Sequence, residues 1–267
     1  SFHEGVTFGQ TWEGDEELEK WLRNKEFRTA WSLAVNREEI KEILNLGLGD
    51  VGWALPPEGH PFYMGPEWEF KNAPATPDLA AANKLLDDIG LDKKDANGFR
   101  LRTDGSGKVL QFDCITIAPY FTDTEGFTEL VEAHMAVVGI KVTPKPVSRS
   151  LFEGMRAADE IAVDCLGGPG INYSGALPVN PNNVNWTIGN QWGKYLATEG
   201  AEGSEPPQVI MRLNELYQSA LKLGKGDRGD IMKESWQIMI DNMWGFSTVK
   251  NAPSFNDVVI VKDNIMN

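Results

Sequence analysis

The sequence predicts an α/β fold built on a central, mainly parallel sheet flanked by helices. Three observations carry that expectation. Residues 109–166 alternate strand, helix, strand, helix, strand with short connections, the pattern of parallel crossover units. Residues 24–49 read as two short amphipathic helices meeting at a tight corner. Residues 206–243 hold two more helices with apolar stripes, followed by short β-rich runs.

Each element has its own local reason. In the first strand, Val109–Ala118, β-formers alternate with polar residues. Phe127, Leu130, Val131, Met135 and Val138 mark a helix that Gly139 ends. Ile140–Val147 is the second strand, and Ser148 caps a helix with Leu151, Phe152 and Met155 turned inward. Glu160–Leu166 is the third strand. Right-handed crossovers then place the helices on the faces of the sheet.

Upstream, residues 1–24 read as an irregular lead-in with a strand near Val6–Phe8 and a short polar helix over Asp15–Arg23. In the helical corner Phe27, Ala30, Trp31 and Ala34 share one face, with Asn24 as N-cap. Asn36 caps the next helix, and Glu39 stands three residues on, as in a capping box. Ile40, Ile43 and Leu44 form its stripe and Gly47 stops it. Pro56–Pro61 is an extended crossing, with Trp53, Phe62, Tyr63 and Trp68 as its anchors. A helix starts at Thr76-Pro77-Asp78 and buries Leu79, Ala82, Leu86 and Ile89. The run Asp92, Asp95, Asn97, Gly98 is a turn, because a calcium-loop register puts Lys93 at the first ligand position.

Composition narrows the function classes. The chain has 267 residues, 41% of them hydrophobic, and a net charge of −14. No basic cluster offers the electrostatic footprint of a nucleic-acid binder. No apolar run approaches the roughly 18–20 residues that cross a bilayer. The chain begins at Ser1 without a secretory signal, which says nothing about its compartment. Cys114 and Cys165, the two cysteines, are read as buried free thiols, with a disulfide as the alternative. Neither a metal site, a cofactor motif nor a catalytic constellation emerges. Gly167-Gly168-Pro169-Gly170 resembles a phosphate-cradling turn only superficially.

The corner carries a resemblance. Asn24, Arg28, Ala30, Ala34, Asn36, Arg37, Glu38 and Ile40 resemble the phrase that opens the second lobe of the family 5 extracellular solute-binding proteins of ABC transporters. The order Pro206-Pro207, helix, helix, Asn242-Met243-Trp244-Gly245 is similar to the end of the same family. The resemblance implies a lobe of the periplasmic-binding-protein type II kind, in a receptor without enzymatic activity. It implies a periplasmic or extracellular location, with lipoprotein tethering open, and a permease in the membrane as partner. Family members are about twice as long. Residues 1–24 are therefore expected to be a hinge remnant and 25–205 the second lobe. Residues 206–267 would return toward a first lobe, in a receptor that is monomeric at full length.

The binding candidates lie where ligands collect in open parallel sheets, outside the carboxyl ends of the strands. The glycine-, asparagine- and proline-rich stretch 167–203 leaves such an end. It supplies Asn172, Tyr173, Asn185 and Trp186, carboxamides beside aromatic faces, which suit hydroxyl-rich rings. Trp53, on the Pro-rich crossing, joins them as a candidate because the family resemblance routes that segment past the cleft. Asp164, just before the loop, either turns toward the cleft or caps backbone amides. From Cys165 to Thr198 there is no Asp or Glu, which favours a neutral ligand such as an oligosaccharide over a peptide amine. An oligopeptide receptor, a glycoside hydrolase with paired carboxylates and an adaptor with an acidic surface remain as alternatives.

Overall fold

In a computed structural model, residues 4–168 and 177–250 are described. The first element is a strand, β1 (Gly5–Phe8), followed by helices α1 (Glu16–Arg23), α2 (Lys25–Ala34) and α3 (Arg37–Leu44). Strand β2 (Asp50–Val51), the single turn α4 (Pro66–Glu69) and helix α5 (Leu79–Asp88) come next. The crossover region holds β3 (Gln111–Ile117), α6 (Thr124–Val137), β4 (Lys141–Val147), α7 (Arg149–Ala157) and β5 (Val163–Asp164). Helices α8 (Asn190–Ala197), α9 (Gln208–Leu221) and α10 (Gly229–Asn242) lead to β6 (Gly245–Ser247) and β7 (Val249–Lys250).

The main sheet has the order β4-β3-β5-β1-β6. Strands β4, β3 and β5 are parallel, in register Cys114 to Pro144 and Cys114 to Val163. Strand β1 is antiparallel to both of its neighbours, pairing Thr7 with Asp164 and Val6 with Phe246. Four of the five strands therefore point one way, and the sheet is mainly parallel as expected. The strand expected near Val6–Phe8 and the helix expected over Asp15–Arg23 are both present, and β1 lies inside the sheet, fully buried. Its four residues are too few for a sequence period to show, and partners more than 150 residues away set its register. The expected third strand shrinks to Val163–Asp164, and the expected long loop contains α8.

Strand β3 shows why the sheet is covered on both faces. Phe112 and Cys114 face a large core with Phe27 and Trp31, whereas Ile115 and Ile117 face a small one with Phe152 of α7. In the large core Trp31 meets Phe8 and Phe112 edge-on, with ring centroids 5.4 Å and 5.8 Å away. Met232, Trp236 and Phe246 belong to that same core, so residues beyond 205 pack with those before it. Leu151, expected inward, is 53% exposed, and α7 turns Phe152 down instead.

The caps confirm several local readings and shift others. Asn24 and Asn36 accept from the backbone N–H groups of Phe27 and Glu39 at 2.8 Å and 3.2 Å. Glu39 does not close a reciprocal box; its carboxylate bonds the Asn36 carboxamide and the His134 ring. Asp78 caps α5. Asp95 accepts from the N–H groups of Asn97 and Phe99, the expected turn.

The two cysteines are a correction. Cys114 and Cys165 form a disulfide with Cα atoms 5.8 Å apart, within the spacing that a bridge requires. The register explains it. Cys114 pairs with Val163, and Cys165, two residues on, lies on the same face of the neighbouring strand.

Two buried arginines fasten the helical corner to the end of α10 and to β6. Arg28 donates to the carbonyls of Leu22, Asn242 and Met243 at 2.6–2.8 Å. Arg37 donates to the carbonyls of Ser32, Pro74 and Ser247, and to Ser32 Oγ at 2.7 Å. Burial pulls both guanidiniums below their ordinary value. Lysine keeps the charge but has neither the planar fork nor five donors. Arg37→Lys is expected to destabilise the protein by roughly 3 kcal/mol or more, from several buried carbonyls left unpaired. Urea denaturation of the two proteins measures this.

Candidate functional site

The parallel strands end together along one edge of the sheet, at Ile117, Val147 and Asp164. Beyond Asp164 lies an open hollow of about 220 Å³. One side is the chain that leaves β5, Leu166 to Gly168, together with Thr7 of β1. The other is the run Asn183–Ile188, and Arg156 of α7 joins them. Gly5 is needed here for close approach: a Cβ on it would lie 2.5 Å from Gly168 Cα and 2.4 Å from the Phe246 carbonyl.

Asp164 is the buried polar centre. Its Oδ1 accepts from the Leu166 N–H at 2.8 Å and its Oδ2 from the Thr187 hydroxyl at 3.1 Å. Both sequence readings of Asp164 thus hold together, since it caps an amide and lines the hollow. Burial pushes its carboxyl up to about 6, against the pull of the Leu166 N–H, Thr187 and Arg156. Thr7 donates to the Gly167 carbonyl at 3.2 Å, which ties β1 to the departing chain.

The facing run is a string of local turns. Asn183 Oδ1 accepts from the Asn185 N–H at 2.9 Å, and the Asn183 carbonyl from the Trp186 N–H at 3.0 Å. Asn185 stands in solvent and Trp186 is half-buried against Ile188 and its neighbours. The buried Asn190 side chain donates to the carbonyls of Val184 and Arg156, so the run is held to the end of α7. Arg156 pairs with Glu153, and its Nε is buried with no hydrogen-bond partner among the described residues.

Of the five binding candidates, Asn185 and Trp186 meet at this hollow. Asn172 and Tyr173 lie outside the described residues. Trp53 is a correction. It is fully buried, and its indole N–H donates to the Lys71 carbonyl at 2.8 Å, so no face is left for a ligand. Thr7, Arg156, Asn183 and Thr187 had no signal of their own in the sequence. Only the sheet order brings β1 and α7 to the rim. Among the described residues no group of three His, Cys, Asp or Glu side chains is placed to hold a metal ion.

This fold agrees with comparison to known proteins. Residues 5–187 match the model of the bacterial extracellular solute-binding proteins, family 5, middle region. The chain belongs to that family. Its members are extracellular or periplasmic transport receptors without enzymatic activity, which removes the glycoside-hydrolase alternative. An oligopeptide-binding protein OppA superposes with a TM-score of 0.74 at 30% identity, over 93% of this chain and 40% of its own length. The periplasmic binding protein MelB of Agrobacterium fabrum, in complex with stachyose, gives 0.66 at 19% identity, covering 92% and 37%. A mannohexaose-bound oligopeptide-binding protein of Thermotoga maritima gives 0.64 at 19%, covering 93% and 43%. The chain thus spans less than half the length of these structures. Among curated proteins no sequence matches it.

The raised Asp164 carboxyl makes stability depend on pH in a definite direction. A carboxyl whose folded value exceeds its unfolded one favours the fold while protonated, and that advantage is lost as pH rises toward and past about 6. Replacing it by the uncharged isostere removes the cost of a buried charge. Asp164→Asn is expected to gain on the parent protein as pH rises from 4 to 7, by up to roughly 3 kcal/mol, and to match it near pH 4. Thermal melts across that range measure the difference.

Proposed function

We propose that this chain forms one wall of the ligand cleft of an ABC-importer receptor, and that the ligand is a neutral oligosaccharide. The carrying observation is the chemistry of the hollow. A tryptophan face stands beside carboxamides and hydroxyls, the set that stacks on a sugar ring and bonds its hydroxyls. Asp164, the one carboxylate that lines it among the described residues, already accepts from Leu166 and Thr187 and is only 7% exposed, which makes it a poor partner for a peptide amine.

Size supports the role of a single wall. About 220 Å³ is below the roughly 300–1,000 Å³ of a complete small-molecule site. In this reading residues 25–205 belong to the second lobe and the later residues return toward a first lobe, with closure by a hinge. Delivery to a membrane permease follows from the same role. The buried disulfide supports an extracytoplasmic location, since such bonds persist in oxidising compartments. The runner-up ligand is an oligopeptide, favoured by the 30% identity to OppA.

Ligand-observed NMR on this chain tests the reading, with mannohexaose and stachyose set against a tripeptide. The expected result is weak saccharide binding, since one wall supplies part of the contacts, and none to the tripeptide. Trp186→Ala is expected to weaken saccharide binding roughly tenfold, the scale of one lost stacking contact, with little change in melting temperature. Peptide binding without saccharide binding would overturn the ligand class.

A further inference from the structure

A second aromatic surface stands on the same edge of the sheet. Tyr120 and Phe121 follow the end of β3, and their ring centroids lie 4.9 Å apart with the planes inclined by 53°. Phe121 is 70% exposed, an uncommon place for so large an apolar ring. Arg149, the first residue of α7, sets its guanidinium 5.4 Å from the Tyr120 centroid and 6.0 Å from that of Phe121. The cation steadies both rings and leaves Phe121 largely in solvent.

Two features join this pair to the hollow. Tyr120 and Leu166 pack on the same small cluster of Ile115, Ile117, Phe152 and Ile161, and Leu166 lines the hollow. Arg149 and Arg156 stand seven residues apart on α7, two turns along one face, which is about 10 Å. Arg149 serves the aromatic pair. Arg156 lines the hollow and brings a buried Nε–H that has no partner among the described residues.

We infer that Tyr120 and Phe121, braced by Arg149, form a second stacking subsite for an elongated neutral oligosaccharide. One sugar unit occupies the hollow beside Trp186. A later unit, about two helical turns away, lies on the exposed Phe121 face. The inference rests on the proposed function and adds to it a requirement of length: a monosaccharide fills the hollow and leaves the aromatic pair bare.

Ligand-observed NMR titrations of mannose and mannohexaose into the parent chain, Phe121→Ala, Phe121→Tyr and Trp186→Ala test it. Phe121→Ala is expected to weaken mannohexaose roughly three- to tenfold, the scale of one stacking contact, and to leave mannose unchanged. Phe121→Tyr is expected to restore the parent affinity, and Trp186→Ala to weaken both sugars. The Phe121 ring is exposed, so the melting temperature of Phe121→Ala serves as the control for folding. Equal mannohexaose affinity in Phe121→Ala and the parent, with Trp186→Ala still weakened, overturns the second subsite and leaves the receptor reading standing. No saccharide binding by the parent chain overturns both.

Discussion

The architecture depends on two guanidinium groups buried in its interior. Arg28 and Arg37 sit four and thirteen residues past the end of the lead-in, yet their hydrogen bonds reach the end of α10 and strand β6. A helix ends with carbonyls that have no partner inside it. At the end of α10, Arg28 takes two of them, from Asn242 and Met243, and a cation there also meets the negative end of the helix dipole. Arg37 takes the Ser247 carbonyl within β6 while its charge lies over the Phe246 ring, 5.2 Å from the centroid. These bonds deliver β6 to the edge of β1. Residues so deeply buried are costly unless each donor is satisfied, and here the satisfaction comes from the segment they hold in place.

Strand β1 is the link from that anchor to the site. It runs against both neighbours, with β6 on one side and β5 on the other. Its Thr7 meets the chain leaving β5, and its Gly5 lets Gly168 lie close. The disulfide fixes the other side of β5, joining Cys165 to the middle of β3. Asp164 therefore lies between a reversed strand and a covalent brace, and its carboxyl is held where water reaches it poorly. Its raised proton affinity is a consequence of that confinement.

Around this rigid base the residues that line the hollow are presented by short turns. The carboxamides of Asn180 and Asn183 accept from backbone N–H groups two residues on, so each shapes its own stretch of chain. Asn190 secures the stretch to α7. The arrangement sets an aromatic face and exposed amides on a surface that does not depend on a regular element.

The sequence by itself determined the elements whose signals are local. Asn24 and Asn36 announce their helices by the N–H groups they accept, and the alternation through residues 109–147 announces β3, α6 and β4 by side-chain period alone. The candidates Asn185 and Trp186 were legible because a loop of that composition follows the carboxyl end of a parallel strand. Tertiary structure alone decided the rest. Four residues of β1 carry no period, and only their partners near residues 164 and 246 make them a central strand. The free-thiol reading failed because the register of β5 against β3 is a property of two strands, not of either one. Trp53 failed as a ligand contact because burial against the core and a bond to the Lys71 carbonyl are set by packing. Thr7 and Arg156 became site residues for the same reason: distance along the chain says nothing about distance in space once a strand is inserted between two others.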